Sequence, residues 1–171
     1  MGKSDQGIRV SESKYRAIPR VLVFIRHGSD VLLLKGADDK RIWANKFNGV
    51  GGHVERDEDI LTAAKRETLE ETGLIPTKLI LKAVVNIEAG DPLLGIIIFV
   101  FTGWSDKRQT TRSEEGELFW VPVDEIGSFD LVEDLYWLLP RIFGEEQQTY
   151  PLYLQYHYDE NDDLVILDHH R

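Results

Sequence analysis

Residues 51–74 read GGHVERDEDILTAAKRETLEETGL, and three glutamates, Glu67, Glu70 and Glu71, fall within five consecutive positions. On a helix turning about 100° per residue, Ile60, Ala63 and Ala64 mark an apolar stripe. Glu67 and Glu71 continue that stripe and Glu70 borders it, whereas a solvated charge face would lie opposite Ile60. Like charges three and four residues apart repel. Glutamates near a helix C-terminus oppose the macrodipole, and partial burial adds to the cost. A hard divalent cation offsets all three penalties. Mg²⁺ binds through a few carboxylate oxygens, keeps waters and completes its shell with substrate phosphates. The three glutamates are therefore candidate ligands of Mg²⁺, with Mn²⁺ as the alternative ion.

The elements that must hold these residues follow from pattern and punctuation. The stretch 57–72 is expected as a helix, with Asp57 as N-cap, Gly73 as its stop and Pro76 beyond. Strands are expected at 20–26, 31–35, 80–88, 95–102 and 118–123, with a turn at 27–30 between the first two. VEDLYWLLPRIFG is expected as a second helix, kinked or ended early by Pro140. The tail YLQYHYDENDDLVIL reads as a hairpin about an acidic turn. Tyr153, Tyr156 and Tyr158 alternate there and read as ordinary sheet residues. The sum is an α+β fold: a polar arm over 1–19, then a single domain over 20–171.

Composition removes several functions. The 171 residues carry a formal net charge of −10, which disfavours binding nucleic acid polymers or anionic membranes. A small nucleotide is not disfavoured, because a divalent cation reverses the local sign. There is no cysteine, so thiol and disulfide chemistry are excluded. The longest apolar run, 95–101, is strand-sized. The opening residues match neither a secretory signal nor a myristoylation motif, and a cytoplasmic protein is expected. Monomer and homodimer remain open.

Gly52, Glu58, Arg66-Glu67, Glu70-Glu71, Gly73 and Leu74 fit the spacing G-x5-E-x7-R-E-U-x-E-E-x-G-U, where U is bulky and aliphatic. Over these 23 residues the chain resembles the Nudix hydrolases, departing at the first U, where Thr68 stands. The resemblance implies a mixed β-sheet sandwiched between α-helices. It implies Glu67, Glu70 and Glu71 as metal ligands, joined by the Gly51 carbonyl. Arg66 would orient the glutamates through ion pairs, with Glu58 as its partner. A further carboxylate comes from SEEGELFWVP, where Glu115 fits best and Glu114 and Glu117 are rivals. The implied reaction is hydrolysis of a nucleoside diphosphate linked to another group, with Glu67 or Glu115 accepting the proton of the attacking water.

Outside that motif, WANKFNGVGGHVE and SFDLVEDLYWLLP resemble segments of oxidised-purine nucleoside triphosphatases. That likeness implies substrate contacts from Asn48, Glu133 and Asp134, and release of a monophosphate and pyrophosphate. Trp43, which precedes the motif loop, is a further pocket candidate. Leu131 stands where that class has a base-stacking tryptophan. The rival readings are an ADP-ribose pyrophosphatase, for which the offset of Pro92 fits poorly, and a non-catalytic Nudix regulator, which the retained glutamates oppose. The five histidines lack metal-ligand spacing on any expected common face.

Overall fold

The computed structural model describes residues 14–111, 113–144 and 151–168. The strands are β1 (Arg16–His27), β2 (Asp30–Gly36), β3 (Phe47–Asn48), β4 (Lys78–Asp91), β5 (Leu94–Trp104), β6 (Gly116–Pro122), β7 (Leu152–Tyr158) and β8 (Leu164–Asp168). Helix α1 (Ile60–Thr72) follows β3, and α2 (Leu135–Phe143) follows β6 after a 3-10 turn, Val123–Ser128. All strands join one sheet in the order β3-β2-β1-β5-β4-β7-β8, with β6 also on β2. The pairs β1–β5 and β4–β7 are parallel and the others antiparallel, so the sheet is mixed.

Both faces of the sheet are covered, and the alternation in β1 says by what. Val21, Val23 and Ile25 pack with Ala63, Ala64 and Leu74 on the α1 side. Phe24 packs with Val31, Leu33, Leu135 and Leu138 on the α2 side. A period of two places successive side chains on opposite faces, and a strand buried on both sides reads as a continuous apolar run. VLVFI in β1 is such a run. The expected sandwich of a sheet between helices is the fold observed.

Some boundaries differ from expectation. Strand β1 begins at Arg16, inside the stretch read as an arm, and pairs with β5 from Arg16↔Leu94 onward. Its first residues mix charged and apolar side chains around Pro19, which hides the strand; residues 1–13 lie outside the described ones. The N-cap of α1 is Asp59, not Asp57: its Oδ1 accepts from the Leu61 and Thr62 N–H groups at 2.8 and 3.0 Å. Gly73 ends the helix at φ 72°, the left-handed conformation glycine adopts without a Cβ penalty. Thr68 is fully buried and returns its hydroxyl to the Ala64 carbonyl at 2.7 Å, which is how a β-branched polar residue fits at the aliphatic position. Pro140 lies inside α2 without ending it. The helix is pinned by buried Leu135, Leu138, Leu139 and Ile142, each contributing roughly 1.5–3 kcal/mol, against about 3 kcal/mol for an interior proline.

Candidate active site

The loop between β3 and α1 lies against β1. Val23 and Val50 exchange backbone hydrogen bonds at 2.7 and 3.1 Å, and the Val21 N–H donates to the Gly52 carbonyl at 2.9 Å. The approach requires two glycines. A Cβ on Gly51 would collide with the Val21 carbonyl, and one on Gly52 would enter the space of the Glu67 carboxylate. The loop thus forms a shelf under the last turns of α1. There the Gly51 N–H donates to Glu71 Oε2 at 3.0 Å.

Arg66 ties the acidic end together from behind. Its Nε and Nη2 reach the two oxygens of Glu58 at 3.1 and 2.6 Å. Nη1 donates to Glu67 Oε1 and Glu70 Oε2, both at 3.0 Å, and Nη2 also donates to the His53 carbonyl at 3.0 Å. This two-pronged grip uses the guanidinium's planar fork, which a lysine cannot reproduce. The Arg66 guanidinium holds the Glu58 carboxyl below the usual carboxylate range, helped by the Glu55 N–H, and its own pKa is raised in return.

A cavity of about 610 Å³ opens beside this shelf. Gly51, Glu67, Glu71, Glu115, Asn48, Glu133, Asp134 and Trp43 all line it, so most of the candidate residues meet in one place. Of the three rival carboxylates after β5, Glu115 faces the cavity, ion-paired to Lys40 across its mouth, while Glu114 and Glu117 do not line it. Two candidates stand outside the lining. Arg66 acts behind the glutamates, and the Glu70 side chain is 58% exposed and turned onto Arg66.

The cavity carries an excess of negative charge. Six carboxylates line the cavity against Arg20, Lys40 and Lys46. Burial pushes the Glu71 carboxyl up to about 7, with the charges of Glu67 and Glu70 adding, while the Gly51 N–H and Lys40 oppose. Among the described residues no three acidic or imidazole side chains are gathered into a ready-made metal cage. The physical reason is visible in their partners: Glu67 and Glu70 rest on Arg66, Glu71 on the Gly51 N–H and Glu115 on Lys40. Unscreened carboxylates separate and find other partners unless a cation draws them together. The donor set, hard oxygens in negative excess, fits a divalent ion of the Mg²⁺ type.

The far end of the cavity is apolar, walled by Leu22, Ile87, Ile98, Val132 and Leu164. Three polar candidates sit at its edge. Asn48 accepts from its own neighbour, the Gly49 N–H, at 2.8 Å through its side-chain oxygen. Asp134 begins α2 without a side-chain capping bond. Burial raises its carboxyl to about 6, with its own backbone and the nearby Tyr156 hydroxyl opposing. Glu133 is exposed on the rim, and Trp43 and Ile42 are exposed at the mouth. The segment carrying these acids is stitched to β3 by Phe47 N–H to Asp130 carbonyl at 2.8 Å and Val132 N–H to Phe47 carbonyl at 3.0 Å, which sets Asp134 near Asn48. Leu131 is buried and faces the opposite groove, beneath the 3-10 turn and α2, so it does not replace a stacking ring in this cavity.

Sequence reasoning missed Arg20, Lys40 and Tyr156, all on the cavity wall. Arg20 Nε donates to His53 Nε2 at 3.2 Å. Tyr156, which by alternation reads as an ordinary sheet residue, is buried at the apolar end. No local spacing signals these three; they arrive through strand order. Pro92 is exposed in the β4–β5 turn, away from the cavity.

A sheet between two helices, with an acidic helix end on a glycine shelf, defines a Nudix domain. The profile of the NUDIX domain matches residues 16–142, and the chain belongs to this family. It is a Nudix hydrolase. A mouse (Mus musculus) protein named oxidized purine nucleoside triphosphate hydrolase is 35% identical over 118 residues, covering 68% of this chain and 74% of its own length. Nucleoside triphosphatase NudI of Escherichia fergusonii is 30% identical over 124 residues, covering 65% of this chain and 86% of its own. The crystal structure of a MutT protein from Bacillus halodurans shares the fold, with a TM-score of 0.75 at 22% identity over 90% of this chain and 99% of that one. Among the described residues no helix is long and apolar enough to cross a membrane.

Proposed function

We propose that this Nudix hydrolase cleaves a purine nucleoside triphosphate, with oxidised purines such as 8-oxo-dGTP as the first candidates, to the monophosphate and pyrophosphate, using Mg²⁺ or Mn²⁺. The observation that carries the reading is that one cavity has an acidic end and an apolar end, with Asn48, Glu133 and Asp134 beside the latter. The names of the mouse and Escherichia relatives support it. The substrate is a free nucleotide rather than a polymer, in keeping with the net charge of −10, and the compartment proposed is the cytoplasm.

Glu67, Glu71 and Glu115, with Glu70 swinging from Arg66, would hold the ion together with the Gly51 carbonyl. When bound, such an ion neutralises phosphate oxygens and lowers the pKa of water. The chain's own part is positional. Gly51 fixes Glu71 through its N–H, Gly52 leaves room for Glu67, and Arg66 aligns Glu67 and Glu70 while Glu58 neutralises it. Of the carboxylates lining the cavity, Glu67 on α1 and Glu115 on the facing loop are the two assigned to take the proton of the attacking water. Arg20, Lys40 and Lys46 supply positive charge to the polyphosphate.

The test is a panel of normal and oxidised nucleoside triphosphates and ADP-ribose, assayed with Mg²⁺, with products separated by chromatography. The expected result is highest kcat/KM on an oxidised purine triphosphate, giving monophosphate and pyrophosphate. A clear preference for ADP-ribose, or release of orthophosphate, overturns the reading.

A further inference from the structure

Tyr156 stands on β7 in parallel register with Ile87 of β4, and both line the apolar end of the cavity. The residue is 2% exposed, and its hydroxyl has no hydrogen-bond partner at bonding distance and angle within the protein. The other buried side-chain atoms in that condition among the described residues, on Arg26, Thr102 and Arg141, belong to residues that do not line this cavity. Burial raises the phenol well above its ordinary range, and the nearby Asp134 carboxylate adds to the effect through its charge and through a hydrogen-bonding contact that falls short of good geometry.

A buried hydroxyl left without a well-formed bond destabilises a fold, and native interiors pair nearly all such groups. A phenylalanine would fill the same space without that penalty. The contact of the hydroxyl with Asp134 is therefore left short of good geometry, and a ligand held by that carboxylate can complete it. Asp134 is close enough for its charge to reach the phenol, and its side chain caps nothing at the start of α2. A carboxylate has two oxygens and about four acceptor sites. It can take the Tyr156 O–H on one side while presenting the other side to the N–H edge of a base.

We propose that Tyr156 is a positioning residue for base recognition: when a purine fills the apolar end, the Tyr156 hydroxyl donates to Asp134 and locks the carboxylate against the base edge. This rests on the base-reading role given to Asp134 above. It gives an apolar wall residue a share in specificity and explains why a tyrosine stands among Leu22, Ile87, Ile98 and Val132. In this arrangement Tyr156 touches Asp134 and not the reacting phosphate, so its effect falls on binding and not on turnover.

The experiment measures, by calorimetry without metal, the dissociation constants of 8-oxo-dGMP and dCMP for the wild type, Tyr156→Phe, Asp134→Asn and the double variant. Melting temperatures without ligand are taken on the same four proteins. The expected result is a roughly fivefold to tenfold weaker affinity of Tyr156→Phe for 8-oxo-dGMP, the range set by one hydrogen bond, and a much smaller change for dCMP. The double variant should bind no more weakly than Asp134→Asn alone, because the hydroxyl acts through that carboxylate. The unliganded Tyr156→Phe protein should melt no lower than the wild type. A lower melting temperature for it would assign the hydroxyl to the fold's own bonding and overturn the proposal. So would wild-type binding by Tyr156→Phe while Asp134→Asn loses discrimination, an outcome that leaves the base-reading role of Asp134 standing. A wild type that does not distinguish 8-oxo-dGMP from dCMP removes that role itself, and the proposal with it.

Discussion

The two ends of the cavity are assembled in opposite ways. The acidic end is nearly one piece of chain: Gly51, Gly52, Glu67 and Glu71 lie within 21 residues, and a loop, a cap and a helix bring them together. The apolar end is gathered from seven segments, with Leu22 from β1, Asn48 from β3, Ile87 from β4, Ile98 from β5, Asp134 before α2, Tyr156 from β7 and Leu164 from β8. The grouping of carboxylates at the acidic end depends on spacing along one helix. The assembly of the apolar end depends on the order of strands in the sheet. The first arrangement tolerates little change in residue type. On the proposed reading, the second can alter its choice of base through single wall residues while the sheet stays intact.

The sharpest way to break this comparison is at the acidic end. Glu71→Gln keeps the volume of the side chain and an oxygen for the Gly51 N–H, but removes a charge from the candidate ligand set. Activity at limiting Mg²⁺ should fall on the order of 100-fold or more, the scale of losing one charge-stabilising group in a reaction centre. The metal-free protein should melt at the same temperature or higher, because a partly buried charge among like charges is gone. Kinetics across a Mg²⁺ titration, with circular dichroism for the fold, check both parts; full activity of Glu71→Gln would sink the ligand assignment. Glu70→Gln should lose activity less than Glu71→Gln, since Glu70 starts outside the cavity lining.

The same contrast separates what the amino-acid sequence reveals from what it hides. Glu67, Glu71 and Arg66 can be placed from helical angles and motif spacing because their geometry is local. The two-faced burial of β1 can be read from VLVFI. The cap of α1 is ambiguous in sequence because Asp57 and Asp59 are both acids ahead of the same helix. Only the backbone of Asp59, at φ −91° and ψ 166°, turns its carboxylate onto the Leu61 and Thr62 N–H groups. Arg20, Lys40 and Tyr156 carry no local signal, because strand pairing such as Ile87↔Tyr156 brings residues 69 apart in sequence to one wall. Which of Glu114, Glu115 and Glu117 lines the cavity beside Lys40 is likewise set by the fold and not by local spacing.

A smaller effect separates the two ends within one reaction. Asp134→Ala should lower kcat/KM for the preferred purine triphosphate roughly tenfold, one hydrogen bond to a charged group, and change a poor substrate little. Glu115→Gln should lower every substrate by a similar factor, since its proposed partners are the ion and water. Four nucleoside triphosphates measured in both variants decide the matter. An equal loss on all four for Asp134→Ala would move Asp134 from base reading to structure or catalysis.

Smaller again is the change expected at the mouth. Lys40 is paired with Glu115 and also lowers the Glu71 pKa. Lys40→Met should raise KM for a triphosphate by roughly twofold to fivefold, the scale of a partly exposed ion pair. It should also tighten binding of Mn²⁺ in the absence of nucleotide, because Glu115 and Glu71 lose a competing cation. Opposite signs for the two measurements are the signature sought; weakening of both would mean that Lys40 holds the loop rather than competing for carboxylates.

The smallest predicted effect isolates the apolar end without substrate or metal. The Asp134 carboxyl has an ordinary pKa of 3.8 and is raised to about 6 in the folded protein, mainly by burial. A carboxyl raised on folding binds its proton more tightly in the native state, so its favourable contribution is fully present below about pH 3.8 and is lost as pH rises through about 6. Above that the folded protein carries a charge it would better have left in water. Other carboxyls act in the opposite direction: Glu58, Asp59 and Asp159 are lowered, so their contributions are present above their unfolded values and vanish as pH falls. The net stability profile therefore mixes both signs, and a difference between variants is needed to read Asp134 alone. Asp134→Asn cannot ionise. Its melting temperature relative to wild type should rise between pH 4 and pH 7 by about 3 °C, taking an effect near 1 kcal/mol after solvent screening in a domain of this size. Glu71→Gln measured alongside should give a difference of the same sign over a window reaching higher, because its carboxyl is raised to about 7. A wild-type-minus-Asp134→Asn difference that is flat from pH 4 to pH 7 would mean that water reaches the Asp134 carboxylate freely, and the apolar end would then be open rather than closed around it.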